Sequence, residues 1–301
     1  MGITAEPSNA SDRDRRMVNI FELTYDNPIM FKKIFALFKA MFVENIRMRL
    51  EKDYIKMYAV DHIKKNQIYI KIRGREMNRY YANKVLEFGL GSSSIQKVLQ
   101  TLNRDCSSIC WFTSAHHERS KIKIKLFNDD MEEERIYSID LDQIDEYDWA
   151  VEAEIQKEED YPLKFELPFK HFKKTVTDFK LLGDIMKIEK NGTGPLMLSY
   201  NFTNNKGDQS AYFRNPSKIN LISLVEPEDI FSTSVYLDYI KPLSGSLISD
   251  HVQISCKIDS DVIFTALLDQ DERPNKEKVY GSEKCEIKVL TEIVRAKKDD
   301  D

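Results

Sequence analysis

The sequence predicts an α+β fold made of two similar domains, each with few helices and many strands. One segment rich in lysine and phenylalanine occurs twice in the chain, and the patterns around each copy follow the same order. Short runs that alternate apolar and polar residues outnumber helical patterns in both copies. A strongly acidic stretch lies between them. Because 301 residues exceed the usual size of one domain, a duplicated domain with a linker accounts for all three observations.

The N-terminal segment, residues 1–20, is polar and has no apolar core. It predicts a flexible leader and neither a secretory signal nor a membrane anchor. The chain has no long apolar run, so we expect no membrane partner. Its four cysteines have no paired spacing, which indicates free thiols in a reducing compartment.

The first predicted helix of each copy carries the repeat. In the first copy the helix over Ile29–Phe42 contains Phe31-Lys32-Lys33 and, after a gap, Phe38-Lys39. The same letters return with the same gap as Phe172-Lys173-Lys174 and Phe179-Lys180. The apolar residues of both segments follow the spacing of a helix with one buried face. The distance in sequence from Phe31 to Phe172 is called here the repeat offset.

Strand-like runs follow each of these helices. In the first copy they are Ile46–Leu50, Tyr54–Val60, Gln67–Arg73, Ile109–Phe112 and residues 122–126. In the second copy they are Ile185–Glu189, Leu196–Phe202, Ile219–Leu224, Val252–Lys257 and Val262–Leu267. This order of elements predicts two domains of the same kind.

A second helix is predicted within each copy. In Ser92–Asn103 its apolar positions are Ile95, Val98, Leu99 and Leu102. The repeat offset leads from them to Tyr236, Tyr239, Ile240 and Leu243, which are again apolar or aromatic. The offset therefore predicts that two helices are repeated in the same order.

The acidic stretch 129–160 holds 15 Asp or Glu residues against two basic ones. The net charge of this stretch is −13. Because the net charge of the whole chain is −5, the rest of the chain carries +8. An acidic connector beside a basic body keeps a protein soluble and leaves surface that attracts phosphate. The predicted division is a first domain at 21–140, an acidic interdomain connector at 141–165, a second domain at 166–295 and a charged tail at 296–301.

Lysines occupy the helix faces opposite the apolar stripes. The outward positions are Lys32, Lys33, Ala36 and Lys39 in the first copy and Lys170, Lys173, Lys174 and Thr177 in the second. Lysines on a helix face are often simply solvated. Acid-poor lysine faces at equivalent places in an acidic protein instead favour a regularly charged polymer such as duplex DNA. Lysine is a flexible point charge, so we expect binding without sequence preference.

The sequence predicts no enzyme, cofactor or metal site. Gly89-Leu90-Gly91 lacks the other residues of a phosphate-binding loop. Cys106, Cys110 and the pair His116-His117 do not have the spacing of a zinc site, and buried thiols with surface histidines account for them. Glu132-Glu133-Glu134 is typical of a solvated acidic loop and has no nucleophile or base beside it.

The repeated segments resemble the helices of PCNA-type DNA sliding clamps, most closely the PCNA-like clamps of large DNA viruses. Residues 27–39 resemble the first clamp helix, residues 168–184 the corresponding helix of the second domain, and residues 236–244 the last one. The resemblance extends from Phe21 to Arg295. It implies the DNA clamp fold, in which helices line a central hole and antiparallel sheets lie outside, and a homotrimeric ring of six similar domains.

The resemblance also implies a set of DNA-facing residues. Positions that match the family are Lys32, Lys33, Lys39, Lys97 and Lys174, whereas Lys241 lies one residue out of register. The helical face adds Lys170, Lys173 and Lys180. Gln100 and Thr177 stand where the family often has a basic residue, which predicts a weaker electrostatic grip.

In the family, client proteins insert a short apolar and aromatic plug into a groove beneath the interdomain connector. By position, Tyr161 matches a tyrosine beside that groove. The expected walls are Val60, Val151 and Ile155, with Val294 closing the pocket near the C-terminus. The connector is longer and more acidic than is usual in the family.

The implied function is a sliding clamp and polymerase processivity factor that encircles duplex DNA and tethers replication and repair proteins through short peptide motifs. A clamp loader would open the ring. Two alternatives keep the fold: a subunit of a heterotrimeric checkpoint ring, and a monomeric processivity or viral transcription factor. The strand edges suggested for a homotrimer are Lys121–Leu126 and Leu196–Phe202. The expected compartment is the nucleus for a cellular protein, and a cytoplasmic replication site or the nucleus of the infected cell for a viral one.

Overall fold

The computed structural model describes residues 19–26, 28–102, 106–114, 120–128, 132–142, 155, 157–191, 194–201, 219–223, 230–246, 249–258, 260–268 and 285–293. Within them, four α-helices lie among strands that are paired antiparallel throughout. The α+β class predicted from the sequence is confirmed.

The first domain has nine strands and two helices in the described residues. They are β1 (Asn19–Tyr25), α1 (Pro28–Ala40), β2 (Asn45–Leu50), β3 (Tyr54–Val60), β4 (Asn66–Arg73), β5 (Arg79–Ala82), β6 (Leu86–Gly91), α2 (Ser92–Gln100), β7 (Ser108–Ser114), β8 (Lys121–Asn128) and β9 (Glu133–Asp140). A short 3-10 turn, Gly74–Glu76, lies between β4 and β5.

The second domain repeats this order in its described residues, with four strands instead of five between its two helices. Its described elements are β10 (Leu163–Pro168), α3 (Phe169–Leu182), β11 (Ile185–Asn191), β12 (Leu196–Asn201), β13 (Asn220–Ser223), β14 (Ile230–Tyr236), α4 (Leu237–Ser246), β15 (His251–Cys256), β16 (Val262–Leu268) and β17 (Cys285–Thr291). Between the domains, the 3-10 turn Lys157–Asp160 precedes β10.

The largest sheet runs through both domains. Its strand order is β13-β10-β15-β16-β17-β4-β3-β2-β6, and the smaller sheets are β5-β1-β7-β8-β9 and β12-β11-β14. The junction is the pairing of β17 with β4, in register from Cys285 opposite Ile72 to Thr291 opposite Asn66. The last strand of the second domain thus continues a sheet of the first.

The four helices form a row on the other side of the core. Helix α1 packs against α2 and against α4, and α4 also packs against α3. The buried stripe of α1 meets the indole of Trp111, whose ring lies 5.3 Å from Phe31 and 5.9 Å from Phe35 between centroids. Each such fully buried aromatic side chain contributes on the order of 2–3 kcal/mol through apolar burial. The packing therefore turns the lysine faces away from the core.

The repeat is confirmed at the first helix and corrected at the second. Helices α1 and α3 begin at Pro28 and Phe169, which are separated by the repeat offset. Helix α4 begins four residues later than the offset from α2 predicts, and the buried Ile240 and Leu243 correspond to Ile95 and Val98. The predicted correspondence was therefore wrong at this helix. The error is close to one helical turn, so the shifted alignment keeps an apolar pattern.

The structure changes three further predictions. Helix α1 ends at Ala40 rather than Phe42, and Phe42 is exposed. The acidic stretch 129–160 is not all linker, because β9 lies within it, and the predicted connector 141–165 is too long, because β10 begins at Leu163. Strand β8, which contains the suggested edge Lys121–Leu126, is paired on both sides by β7 and β9. Within the described residues the edge strands of that sheet are β5 and β9, and β12 lies at one end of its own three-stranded sheet.

Candidate nucleic-acid interface and connector surface

The outward faces of α1 and α3 carry the lysines that the repeat predicts. The exposed side chains are Lys32, Ala36 and Lys39 on α1 and Lys170, Lys173, Lys174 and Thr177 on α3, while Lys33 is half-buried. The opposite faces are buried in the core. No acidic residue lies in the first turn of either helix. The structure therefore brings these lysines to the solvent side of the helix row.

Two lysines on the same row have structural partners. The Lys32 ammonium donates a hydrogen bond of 2.9 Å to the carbonyl oxygen of Leu102, just beyond the end of α2. The Lys180 ammonium lies 3.3 Å from a carboxylate oxygen of Asp184 and 2.9 Å from one of Asp238 on α4. Lys180 therefore joins α3 to α4, and its charge is already balanced by two acids.

Helices α2 and α4 add one exposed lysine each. Lys97 lies in the last turn of α2, and Lys241 lies beside Pro242 within α4. Gln100, which was predicted to weaken the grip, is exposed near Lys97 on α2. A lysine in the C-terminal turn of a helix interacts favourably with the helix dipole. Lys97 therefore also stabilises α2 locally.

A second surface lies on the outer face of the large sheet. Tyr58, Tyr69, Ile155, Tyr161, Ile263 and Leu290 form a separate buried apolar cluster, with Val60 packed against it. The structure thus brings together three of the five residues predicted for the client groove. The other two, Val151 and Val294, lie outside the described residues. Ile155 and Tyr161 come from the connector, and the remaining members come from strands on both sides of the domain junction.

The sequence reasoning missed four members of this apolar cluster. Tyr58 lies directly opposite Tyr69 in the β3–β4 pairing, and Ile263 lies opposite Leu290 in the β16–β17 pairing. Alternation along β3 places Tyr58 and Val60 on the same face, which was a usable signal. The contribution of β16 and β17 was not readable, because it depends on the junction between β17 and β4.

A buried carboxylate fastens the connector to this face. Glu158 is 6% exposed, and its carboxylate lies 2.6 Å from the ammonium of Lys288 on β17. The same carboxylate accepts hydrogen bonds from Ser255 at 2.6 Å, Gln253 at 2.9 Å and Thr265 at 3.2 Å. One acidic residue of the connector therefore gathers partners from β15, β16 and β17.

The pKa of Glu158 reflects two opposing influences. Burial on its own raises the pKa, but the Lys288 ammonium and the hydroxyl donors Ser255 and Thr265 lower it below its ordinary value. Burial lowers the pKa of Lys288, and the contacts with Glu158 and Glu286 more than reverse this, so that pKa is raised. Both groups are therefore held in their charged forms near neutral pH.

The residues that were weighed in the sequence as a phosphate-binding loop or a zinc site have structural roles. The Gly89 N–H donates to the carbonyl oxygen of Asp142 and its carbonyl accepts from the Asp142 N–H, so its backbone is used in pairing. Cys110 is buried, and burial raises the pKa of its thiol. Among the described residues, no group of three potential metal ligands comes together. In the same part of the chain, no helix is long and apolar enough to cross a membrane.

Comparisons with known proteins agree with this geometry. Residues 20–149 match the family described as proliferating cell nuclear antigen, N-terminal domain. The chain is also 28% identical over 260 residues to an uncharacterized protein of African swine fever virus, in the Kenyan pig isolate and the Namibian warthog isolate alike. That alignment covers 82% of this chain and 83% of each relative.

The matched family consists of clamp proteins that act as scaffolds, so the match points to a scaffold rather than an enzyme. The matched family also implies DNA binding and self-association. The two halves of the fold, the row of lysine-bearing helices and the family match all agree with the resemblance noted in the sequence. Residues 20–149 are therefore similar to the N-terminal domain of proliferating cell nuclear antigen, and most of the chain is similar to the viral protein.

Proposed function

We propose that this chain is a DNA sliding clamp that encircles duplex DNA without sequence specificity and acts as a processivity factor in replication and repair. The observation that carries the proposal is the single row of four helices, which presents exposed lysines from all four helices on the side away from the core. Spaced lysines on a continuous surface suit sequence-independent contact with a phosphate backbone.

The proposed assembly is a head-to-tail homotrimer. Within one chain, the last strand of the second domain, β17, pairs with β4 of the first. The equivalent last strand of the first domain is β9, which is open on one side. Pairing of β9 with the second domain of the next chain would repeat the junction, and three copies would close a ring of six domains.

The proposed clients bind the outer face of the large sheet. The apolar cluster around Tyr161 is buried beneath the connector, and the half-buried Val60 packs against it, which suits a short peptide with an apolar plug docking beside Val60. DNA polymerase and repair proteins are the proposed clients, and a clamp loader the proposed means of opening the ring. Because the relatives are viral, we propose a replication site of the infected cell, in the cytoplasm or the nucleus, as the compartment.

The decisive experiment removes two exposed lysines of the helix row, one from each domain. Lys39→Ala combined with Lys174→Ala is expected to weaken binding to duplex DNA and to make that binding less salt-dependent, because fewer counterions are released. Lys39 and Lys174 are preferable to Lys32, whose ammonium holds the end of α2. The measurement is the equilibrium affinity for a labelled duplex over a series of salt concentrations.

A matched control uses Lys52→Ala with Lys84→Ala, since both lysines are exposed but lie in turns outside the helices. This control is expected to keep the affinity and the salt slope of the original protein. Equal loss of affinity in both double variants would show that binding is not located on the helix row. A changed molecular mass of the Lys39/Lys174 variant would count against its placement in the hole.

A further inference from the structure

The end of α1 holds an aromatic side chain in a costly conformation. The Met41 N–H donates to the Leu37 carbonyl and the Val43 N–H donates to the Phe38 carbonyl, with Phe42 between them at φ 54°. This left-handed position after a helix normally takes glycine, because a β-carbon is strained there. Burial of the phenyl ring does not offset this strain, since Phe42 is 67% exposed.

The equivalent helix of the second domain ends differently. The repeat offset leads from Phe42 to Gly183, which directly follows α3 and has an extended backbone with φ −165°. The second domain thus has neither the left-handed backbone nor a side chain at the matching position. A strained and exposed aromatic residue in the first domain alone points to a use of the ring other than folding.

The phenyl ring is held in place by a histidine. The rings of Phe42 and His62 meet edge to face, with centroids 5.4 Å apart and an interplanar angle of 65°. His62 lies in the turn between β3 and β4, which Asp61 fixes by accepting hydrogen bonds from the backbone N–H groups of Lys65 and Asn66. The two rings therefore form a small exposed platform on a rigid base, called here the Phe42–His62 platform.

Two exposed lysines lie close in sequence to this platform. Lys39 lies three residues before Phe42, and Lys64 lies two residues after His62; both are exposed. The acids in these two segments are Glu44, which is exposed, and Asp61, whose carboxylate is buried against backbone amides. Lys65 is paired with Glu292. Exposed aromatic rings beside lysines are the chemistry that binds single-stranded nucleic acid, through stacking of bases and contact with phosphates.

We propose that the Phe42–His62 platform stacks unpaired bases of single-stranded DNA where a single strand emerges from the duplex in the ring. The inference rests on the proposed function, because α1 is the helix whose lysines are assigned to the duplex. Nucleic acid is favoured over a protein partner since the platform directly follows Lys39 on that helix. A base has a π-face whatever its sequence, so the platform is independent of sequence.

The test compares a blunt duplex with the same duplex extended by a single-stranded thymidine tail. The tail carries 2-aminopurine next to the junction, because the emission of this base falls when it stacks. The original protein is expected to bind the tailed DNA about fivefold more tightly than the blunt duplex and to quench the probe. Phe42→Gly is expected to abolish both effects, and Phe42→Trp to keep them.

The controls separate this proposal from the clamp proposal and from misfolding. Glycine suits the left-handed backbone, so Phe42→Gly is expected to unfold at the same urea concentration or a higher one, and to bind the blunt duplex normally. Leu181→Ala removes another exposed apolar side chain, at the end of α3, and is expected to keep the preference for the tail.

Each other outcome overturns a specific statement. If the original protein fails to bind the blunt duplex, the clamp proposal fails. If it binds the blunt duplex and gains nothing from the tail, only the platform proposal fails. If Phe42→Gly retains the preference for the tail, the single strand binds elsewhere. If that variant changes only the binding of a client protein, the platform is a protein contact and the proposal is wrong.

Discussion

Individual buried polar residues decide how the connector lies on the large sheet. Glu158 combines an ion pair with Lys288 and hydrogen bonds from Gln253, Ser255 and Thr265. A carboxylate taken out of water needs such partners, because its hydration is lost on burial. Ile155 and Tyr161 on either side of it are buried in the apolar cluster. Glu158 is therefore the polar centre of an otherwise apolar attachment.

Glu158→Leu is expected to lower the free energy of unfolding by roughly 3 kcal/mol, because it leaves Lys288 with only Glu286 as an acidic partner and removes the acceptor of three further groups. Urea unfolding at neutral pH measures the change. Asp160→Asn is the matched control, since Asp160 is exposed in the same turn, and its stability is expected to stay close to that of the original protein. Equal stabilities of the Leu and Asn variants would refute the anchoring role.

The ion pair of Glu158 also makes the stability of the folded protein depend on pH. The pKa of Glu158 is lower in the folded state than in the unfolded state, so its stabilisation is present above its ordinary pKa and is lost as the pH falls through the lowered value. The pKa of Lys288 is raised, so its contribution is lost only as the pH rises beyond its ordinary range. The stability difference between the original protein and Glu158→Leu is thus expected to shrink in acid. A difference that is constant down to strongly acidic pH would contradict this sign.

The edge strands of the sheets determine where a second copy of the chain can pair. Strand β9 is the open edge of its sheet, and Ile136 on it is 54% exposed. Charged pairs flank that position, with Lys125 and Glu134 2.7 Å apart and Arg135 and Glu133 2.7 Å apart. Charges on an edge strand discourage indiscriminate pairing. An apolar side chain among them suits one specific neighbour.

Ile136→Lys is therefore expected to weaken the assembly at micromolar protein concentration, because it places a charge where the edges of two chains meet. Light scattering over a dilution series measures the average mass. Ile230→Lys serves as the control, since Ile230 is 75% exposed on β14, a strand that is not assigned to the ring closure. Unchanged mass of the Ile136 variant, or equal loss in both, would remove β9 from the proposed interface.

As a whole, the proposed ring adds retention by topology to the charge-based affinity of the helix row. The assembled protein is expected to have roughly three times the mass of the 35.3 kDa chain. Once loaded on a circular duplex, it is expected to remain bound in salt that removes it from linear DNA, because linear ends allow sliding off. Release from both substrates at the same salt concentration would indicate an open, charge-based factor, and a persistent monomer would exclude the homotrimer.

Local patterns were sufficient for most elements of the first domain. A strand-like run predicted β3 as Tyr54–Val60, and alternation predicted β4 within one residue of its observed start, because β4 has one face against the core. Strand β9 was overlooked since its acidic residues are typical of a loop. The four-residue error at α4 arose because a shift of about one helical turn preserves the apolar pattern.

Periodicity within single segments was enough to predict the α+β class, the duplication and the lysine faces of α1 and α3. Three contacts became visible only in the folded chain: β17 pairs with β4 across the domains, Lys180 is balanced by Asp184 and Asp238, and Glu158 anchors the connector. These contacts join residues on different elements, most of them far apart in the chain. Local periodicity carries no information on which distant partner completes a sheet or neutralises a buried charge.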